Sequence, residues 1–403
     1  MLSLEAAQQL IIDSIEPLPA VSVPLDQAAG RILAEHLVSS VNLPGFDNSA
    51  MDGYAVRAAD VSSATVETPL ALRLIGRAAA GEVFSGELIR GTCVRVFTGS
   101  TLPVGADAVI MQEDTQVEAA YATTVLMLDS VKPWENVRFM GEDIKAGTPL
   151  LQSGLRLTPG RIQVLAATGH GAAKVGASPQ IALLSTGNEL VEPGQPLGAG
   201  KIYESNRSAL AALVRHAGCL PCSLPIVADD PTATEAALRS AFSNHDVVIS
   251  SGGVSVGELD FVKGAFELLG GRLEFWKVAI KPGRPFVFGR LGQKLFFGLP
   301  GNPASAMVTF ALLVRPALLR LQGAAEWSLP VLRADLAESL VNNGDRRHFM
   351  RVCRDPKGLI KSAGGQGSHQ LSSLADAEGL VDVPAKTSLP AGSRVSMLLW
   401  AGG

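Results

Sequence analysis

Between residues 179 and 321 the chain alternates short apolar runs with helical periodicities, which commits it to a parallel sheet covered by helices. The runs Gln180 to Leu184, Cys222 to Val227 and Asp246 to Ser250 read as buried strands. Asn206 is placed to cap a helix with Leu210, Leu213, Val214 and Ala217 on its inner face and Gly218 just past its end. Asp230-Pro231 starts the next helix as cap and first-turn pair, with Ala237, Leu238, Ala241 and Phe242 inward. The fold class is therefore multidomain α/β and β, built on a doubly wound α/β domain. Such sheets bind ligands beyond the carboxyl ends of their strands.

The chain has 403 residues, 47% of them apolar, with 34 Lys+Arg against 38 Asp+Glu. That length exceeds a single small module. With 5% aromatics and no basic excess, stacking platforms and phosphate-tracking stripes are disfavoured, so nucleic acid is not an expected partner. The N-terminal segment, with Glu5 inside its apolar stretch and no leading cation, reads as a helix and not as a signal peptide. The apolar run Ala304 to Leu321 is cut by Arg315, Pro316 and Arg320, so no membrane span is expected. Four scattered cysteines fit a reducing cytoplasm, and the lone Cys219-Leu-Pro-Cys222 reads as buried structural thiols.

The remaining chain divides by texture. Residues 41–140 carry short β-favouring runs separated by Gly, Pro and Asp, giving an inserted β-rich domain, and residues 326–403 form a C-terminal β domain with turns at Asn343-Gly344, Asp355 to Gly358 and Ala391-Gly392.

Chemistry is expected at the strand ends. Ser250 and Ser251-Gly252-Gly253-Val-Ser255-Val-Gly257-Glu-Leu-Asp260 lead from a strand into a helix, a geometry that cradles an anion. Asp260 beside such a nest implies a bridging Mg²⁺, with helix capping as the competing role. Glu189 serves either a sugar, pterin donor or Mg²⁺, or else a helix dipole; Asp229, unlike Asp230, has no capping role and is a second candidate metal carboxylate. Pro300 and Pro303 stiffen the loop ahead of the Ala304 helix. Lys277, Lys281 and Arg284 are either solvated cations or the positive side of a polyanion site. Asp52-Gly53 is either a site element or a turn. No histidine has metal-ligand spacing.

Seven motifs in order resemble one family. They are Pro44-Gly-Phe-Asp-Asn-Ser-Ala-Met-Asp-Gly-Tyr54, Phe97-Thr-Gly-Ser100, Gly141-Glu-Asp143, Ser185-Thr-Gly-Asn-Glu-Leu190, Ser250 to Gly257, Lys281-Pro-Gly-Arg-Pro285 and Gly298-Leu-Pro-Gly-Asn-Pro303. They are similar to those of the molybdopterin molybdenumtransferases, the MoeA-like proteins that include the gephyrin E domain. The resemblance implies an enzyme that places molybdate on adenylated molybdopterin with Mg²⁺-dependent release of AMP. It also implies a homodimer whose site lies between subunits, and possible contacts with molybdopterin adenylyltransferase and molybdoenzyme maturation proteins. It divides the chain into 1–26 plus 171–325 as the molybdopterin-binding domain, 27–40 plus 141–170 as a linking domain, 41–140 as the insertion and 326–403 as a barrel-like C-terminal domain. By position, Asp260 and Asp229 match the acids at the phosphoanhydride and its Mg²⁺, while Glu189, Asp52, Thr98, Asp143, Lys277 and Lys281 match further site residues. Arg351 and Ser368 match molybdate-pocket residues near Pro300 and Pro303. The alternatives are adenylation of molybdopterin itself, or a non-catalytic scaffold of the gephyrin kind.

Overall fold

The computed structural model describes residues 1–117, 123–253 and 261–400. The chain forms two compact units: Met1–Glu35, Ser153–Leu157 and Ala173–Gly403 make the first, and His36–Gln152 with Thr158–Ala172 the second. The expected linking segments, 27–40 and 141–170, are shared between both.

The first unit is built on a six-stranded sheet in the order Leu220–Ser223, Gln180–Ser185, Val247–Ser251, Lys294–Leu299, Val287–Leu291, Arg272–Trp276. The first four strands are parallel, as expected; the last two are antiparallel. The reason is local: a tight turn with Gly292 at φ +60° joins Leu291 to Lys294, leaving no room for the helix that a parallel crossover needs. Side chains alternate between two cores. Ile181, Leu183, Val247 and Ile249 meet the helices Leu4–Asp13, Asn206–His216 and Pro303–Leu321, whereas Ala182, Leu184 and Val248 meet Pro231–Asn244 and Val262–Leu268. Burial on both faces explains why the strands read as unbroken apolar runs.

Several local expectations are corrected. The Cys222 to Val227 strand begins earlier, at Leu220, and stops at Ser223, because Pro225 has no N–H for the ladder. Cys219 is buried, but Cys222 faces solvent on this edge strand, so the pair is not a buried one. Asn206 is the first helical residue; the cap position falls to Ser205. Asp230 does cap its helix, accepting from the Ala233 N–H at 2.7 Å, and Gly218 takes the left-handed conformation after its helix (φ +83°). The Ala304 to Leu321 run is not cut: Pro303–Leu321 is one continuous helix of 19 residues with mean hydropathy 1.5. A π-helical turn at Phe310–Val314 absorbs the N–H missing from Pro316. That helix is long and apolar enough to cross a membrane by length and composition, yet it is mostly buried in the protein's own core.

The C-terminal segment adds a second sheet to the first unit, in the order Ile280–Lys281, Arg347–Arg354, Gly379–Val383, Arg394–Leu399, Val331–Asp335. Its first strand comes from outside that segment: Lys281 pairs with His348 in parallel register, which fastens the cationic stretch to the C-terminal sheet. The second unit holds a six-stranded sheet ordered Ala108–Met111, Gly53–Val56, Thr92–Val96, Leu70–Ala78, Thr124–Met127, Thr115–Val117 around Val56, Leu72, Ile110 and Met127.

Candidate active site

Strand order reverses between Gln180–Ser185 and Val247–Ser251, so the crevice of the α/β sheet lies beyond these two carboxyl ends. The sequence-selected loops meet here. Gly252 and Gly253 are both left-handed (φ +90° and +67°) and press against the other loop. A Cβ on Gly252 would lie 3.0 Å from the Thr186 carbonyl, and one on Gly253 would lie 2.9 Å from Thr186 Oγ1 and 2.5 Å from Val262. Asp229 is not free: its carboxylate accepts from the Asn188 N–H at 2.9 Å, and its own N–H donates to Asn188 Oδ1 at 3.2 Å. This reciprocal pair aligns the loops after two strands and leaves the second Asp229 oxygen for a ligand. Glu189 follows in the same loop. No helix starts there, which removes the helix-dipole role considered for it. Its carboxylate folds over Gly187, 2.7 Å from where a Cβ would stand. Ser250 Oγ is buried without a hydrogen-bond partner among the described residues. Ser255, Gly257 and Asp260 lie outside the described residues.

Two supports of this crevice escaped the sequence reading. Asn206 Nδ2 donates to Ser251 Oγ at 2.6 Å and to the Gly301 carbonyl at 2.7 Å, tying two strand ends together. Buried Glu204 accepts from Ser185 Oγ at 3.0 Å and from Arg207, whose guanidinium reaches on to Glu192 at 2.7 Å. Asn206 was visible as a polar residue at a helix start, but an amide there is as suited to capping as to bridging loops. The second network carries no sequence signal beyond ordinary charged residues.

A cavity of about 580 Å³ in the same unit is lined by Lys281, Arg284, Pro300, Asn302, Ser305, Arg346, Gln366 and Ser368, among others. Its floor is rigid, because a Cβ on Gly283 would collide with Thr309 at 2.3 Å. Asn302 Nδ2 donates to Ser368 Oγ at 3.1 Å. Lys281, Pro300 and Ser368 are thus brought together as expected, but Arg351, Pro303 and Lys277 are not in the lining. Arg351 is fully buried: Nε donates to Ser373 Oγ at 2.9 Å, Nη2 to the Gly365 and Gly367 carbonyls at 2.6 and 3.0 Å, and Nη1 has no partner among the described residues. It holds the loop that presents Ser368. Pro303 opens the long helix, and Lys277, left-handed at φ +75°, places its ammonium 3.5 Å from the centre of the Trp276 ring. Arg346 is the lining cation that the sequence reading passed over, although it stands in the run Asp345-Arg346-Arg347. His348, buried next to Lys281 in the sheet, is pushed down to about 4 by burial and then by the charges of Lys281 and Arg351.

In the second unit, Asp52 and Thr98 meet: Asp52 Oδ1 accepts from both the N–H and the hydroxyl of Thr98, at 2.8 and 2.9 Å. These bonds hold the exposed carboxyl below its ordinary range. Asp52-Gly53 is therefore more than a turn. Gly53 begins a strand where a Cβ would lie 1.9 Å from the Ile110 carbonyl. Asp143 lines a separate cavity of about 460 Å³ with Leu43, Pro44, Arg138 and Glu142. No group of three or more His, Cys, Asp or Glu side chains arranged for a metal occurs among the described residues.

Residues 2–169 match the MoeA N-terminal region (domain I and II), residues 182–320 a probable molybdopterin binding domain, and residues 333–400 the MoeA C-terminal region (domain IV). The molybdopterin molybdenumtransferase of Haemophilus influenzae is 40% identical over 381 residues, spanning 93% of this chain and 92% of its own length. The chain belongs to the molybdopterin molybdenumtransferase family. Molybdopterin molybdenumtransferase 2 of Mycobacterium tuberculosis is 38% identical over 390 residues, covering 95% of this chain and 96% of its own. A solved MoeA protein of molybdopterin biosynthesis from Pyrococcus horikosii superposes with a TM-score of 0.84 at 33% identity, covering 100% of both chains. The family's multidomain α/β and β architecture is thus the one found here.

Proposed function

We propose that this chain inserts molybdate into adenylated molybdopterin and releases AMP. It is a transferase of molybdenum cofactor biosynthesis. The observation that carries the finer reading is the 580 Å³ cavity, which gathers Lys281, Arg284 and Arg346 with the Ser368 hydroxyl and no carboxylate among its lining residues. A tetrahedral dianion needs such a set, because fixed cations and neutral donors hold it while acids would repel it. In this reading Lys281, Pro300 and Ser368 receive molybdate, while Arg351 and Pro303 shape the walls behind them.

The crevice at the strand ends takes the molybdopterin and nucleotide portion. Gly252 and Gly253, with Ser250, Ser255 and Gly257, bring backbone close to the phosphates, and Glu189 offers an acceptor for a ring or ribose donor. A hard cation needs only one or two carboxylates plus substrate phosphates, which the free Asp229 oxygen and Asp260 suit. Mg²⁺ held there would neutralise the phosphoanhydride as it breaks. Lys277 supplies a further positive charge, and Asp52, Thr98 and Asp143 complete the site from the second unit of a partner copy in a homodimer. We also assign a cytoplasmic setting, the four-part domain division, and exchange of substrate and product with an adenylyltransferase and with molybdoenzyme maturation proteins.

The test is AMP release from adenylated molybdopterin with Mg²⁺, with and without molybdate, coupled to activation of a molybdenum-free apoenzyme. Molybdate-dependent release with activation is expected; substrate binding without release would overturn the catalytic reading in favour of a scaffold.

A further inference from the structure

The cavity that holds Lys281 is larger and more positive than one oxyanion requires. Its 580 Å³ falls in the range of about 300–1,000 Å³ that accommodates drug-sized ligands. Molybdate has five atoms and two negative charges, so three lining cations leave one over. The lining also divides by chemistry. Asn302, Ser305, Gln366 and Ser368 bring amides and hydroxyls from two loops, whereas Lys281, Arg284 and Arg346 bring the charge. The two arginines are lightly engaged. Arg346 donates from Nη1 to the Ile280 carbonyl at 3.3 Å and approaches the largely exposed Asp345 at 3.4 Å, which leaves Nη2 open. The Arg284 side chain has no ion pair or hydrogen bond to a described residue. Both are fixed at the backbone: Arg284 by the packing of Gly283 on Thr309, and Arg346 by its carbonyl, which accepts from Asn342 Nδ2 at 2.8 Å.

We propose that this cavity binds two anionic groups at once, the tetrahedral oxyanion among the hydroxyls and amides beside Lys281, and a phosphate monoester of the pterin substrate on Arg284 and Arg346. The inference rests on reading the cavity as the oxyanion site. It makes the two arginines residues for substrate orientation: by gripping the phosphate, they bring the sulfur-bearing end of the same molecule to the oxyanion. A planar guanidinium suits a phosphate monoester through paired N–H donors, and charge-assisted bonds of this kind are the stronger ones.

The test titrates the full chain with molybdate by calorimetry, alone and at saturating phenyl phosphate, and repeats both titrations on the Arg284→Gln/Arg346→Gln double variant. Simultaneous binding predicts that phenyl phosphate changes the molybdate affinity of the unmodified chain by less than about twofold. In the double variant, phenyl phosphate should weaken at least about tenfold while molybdate weakens less than about threefold. A molybdate Kd that rises in proportion to phenyl phosphate in the unmodified chain, or a double variant that loses both ligands equally, overturns the proposal. If molybdate fails to bind while phenyl phosphate binds through the arginines, it is the oxyanion assignment that falls, and the paired occupancy falls with it.

Discussion

At the scale of single residues, the buried His348 makes a prediction about pH. Its imidazole takes a proton near 6.5 when unfolded but only near 4 when folded. Below about pH 6.5 the unfolded chain therefore binds more protons, and stability falls as pH drops from 6.5 toward 4, by about 2 kcal/mol after allowing for relaxation. Urea midpoints across that window should decline, and His348→Leu should flatten the decline; an unchanged slope in the variant would place its origin elsewhere. Asp52 makes a catalytic prediction. Asp52→Asn keeps the shape and an acceptor for Thr98 but loses the charge, so molybdate-dependent AMP release should drop about 10²-fold while Tm moves less than about 2 °C. Thr98→Ser, which keeps the hydroxyl, should retain more activity than Thr98→Val; equal losses would show that the hydroxyl does not matter. The sequence made the Asp52 and Thr98 motifs visible but not their meeting, because 45 residues separate them and register alone brings them together. It misjudged Arg351 for a related reason: nothing in a lone arginine on a strand reveals that its guanidinium is consumed by loop carbonyls.

At the scale of elements, the inserted sheet depends on close approach at one position. The Gly53–Val56 strand sits between Ala108–Met111 and Thr92–Val96, and Gly53 faces Met111 across the pair. Gly53→Ala should cost more than about 4 kcal/mol, seen as lost thermal resistance of the second unit, because the obstacle is backbone and cannot rotate away. An unaltered melting curve would refute that steric account. The α/β elements were legible wherever burial on both faces made a strand uniformly apolar, as at Val247–Ser251, or where Asp230-Pro231 marked a helix start. They were less legible where a backbone effect intervened, as with Pro225 ending a strand and the π turn carrying a helix through Pro316. The strand Ile280–Lys281 left no pattern at all, since two residues cannot show a period.

At the scale of the whole molecule, the first unit is assembled from three stretches of chain, with Met1–Glu35 joined to segments that begin at Ser153 and at Ala173. The Leu4–Asp13 helix buries Leu4, Ala7, Ile11 and Ile12, and Gln8 donates to the Leu312 carbonyl at 2.8 Å. Deleting residues 1–13 should lower the Tm of that unit by more than about 5 °C and leave the second unit's unfolding in place; a deletion variant that melts like the full chain would show the helix to be dispensable. The same closure has a consequence during synthesis. The helix is among the first residues to leave the ribosome, and its packing partner Pro303–Leu321 follows some three hundred residues later. At elongation rates of about 5–20 residues per second this is a wait of ~15–60 s with an apolar stripe uncovered. The nascent chain is thus a client for holding chaperones over nearly its whole translation, and pausing upstream of residue 303 would lengthen that dependence.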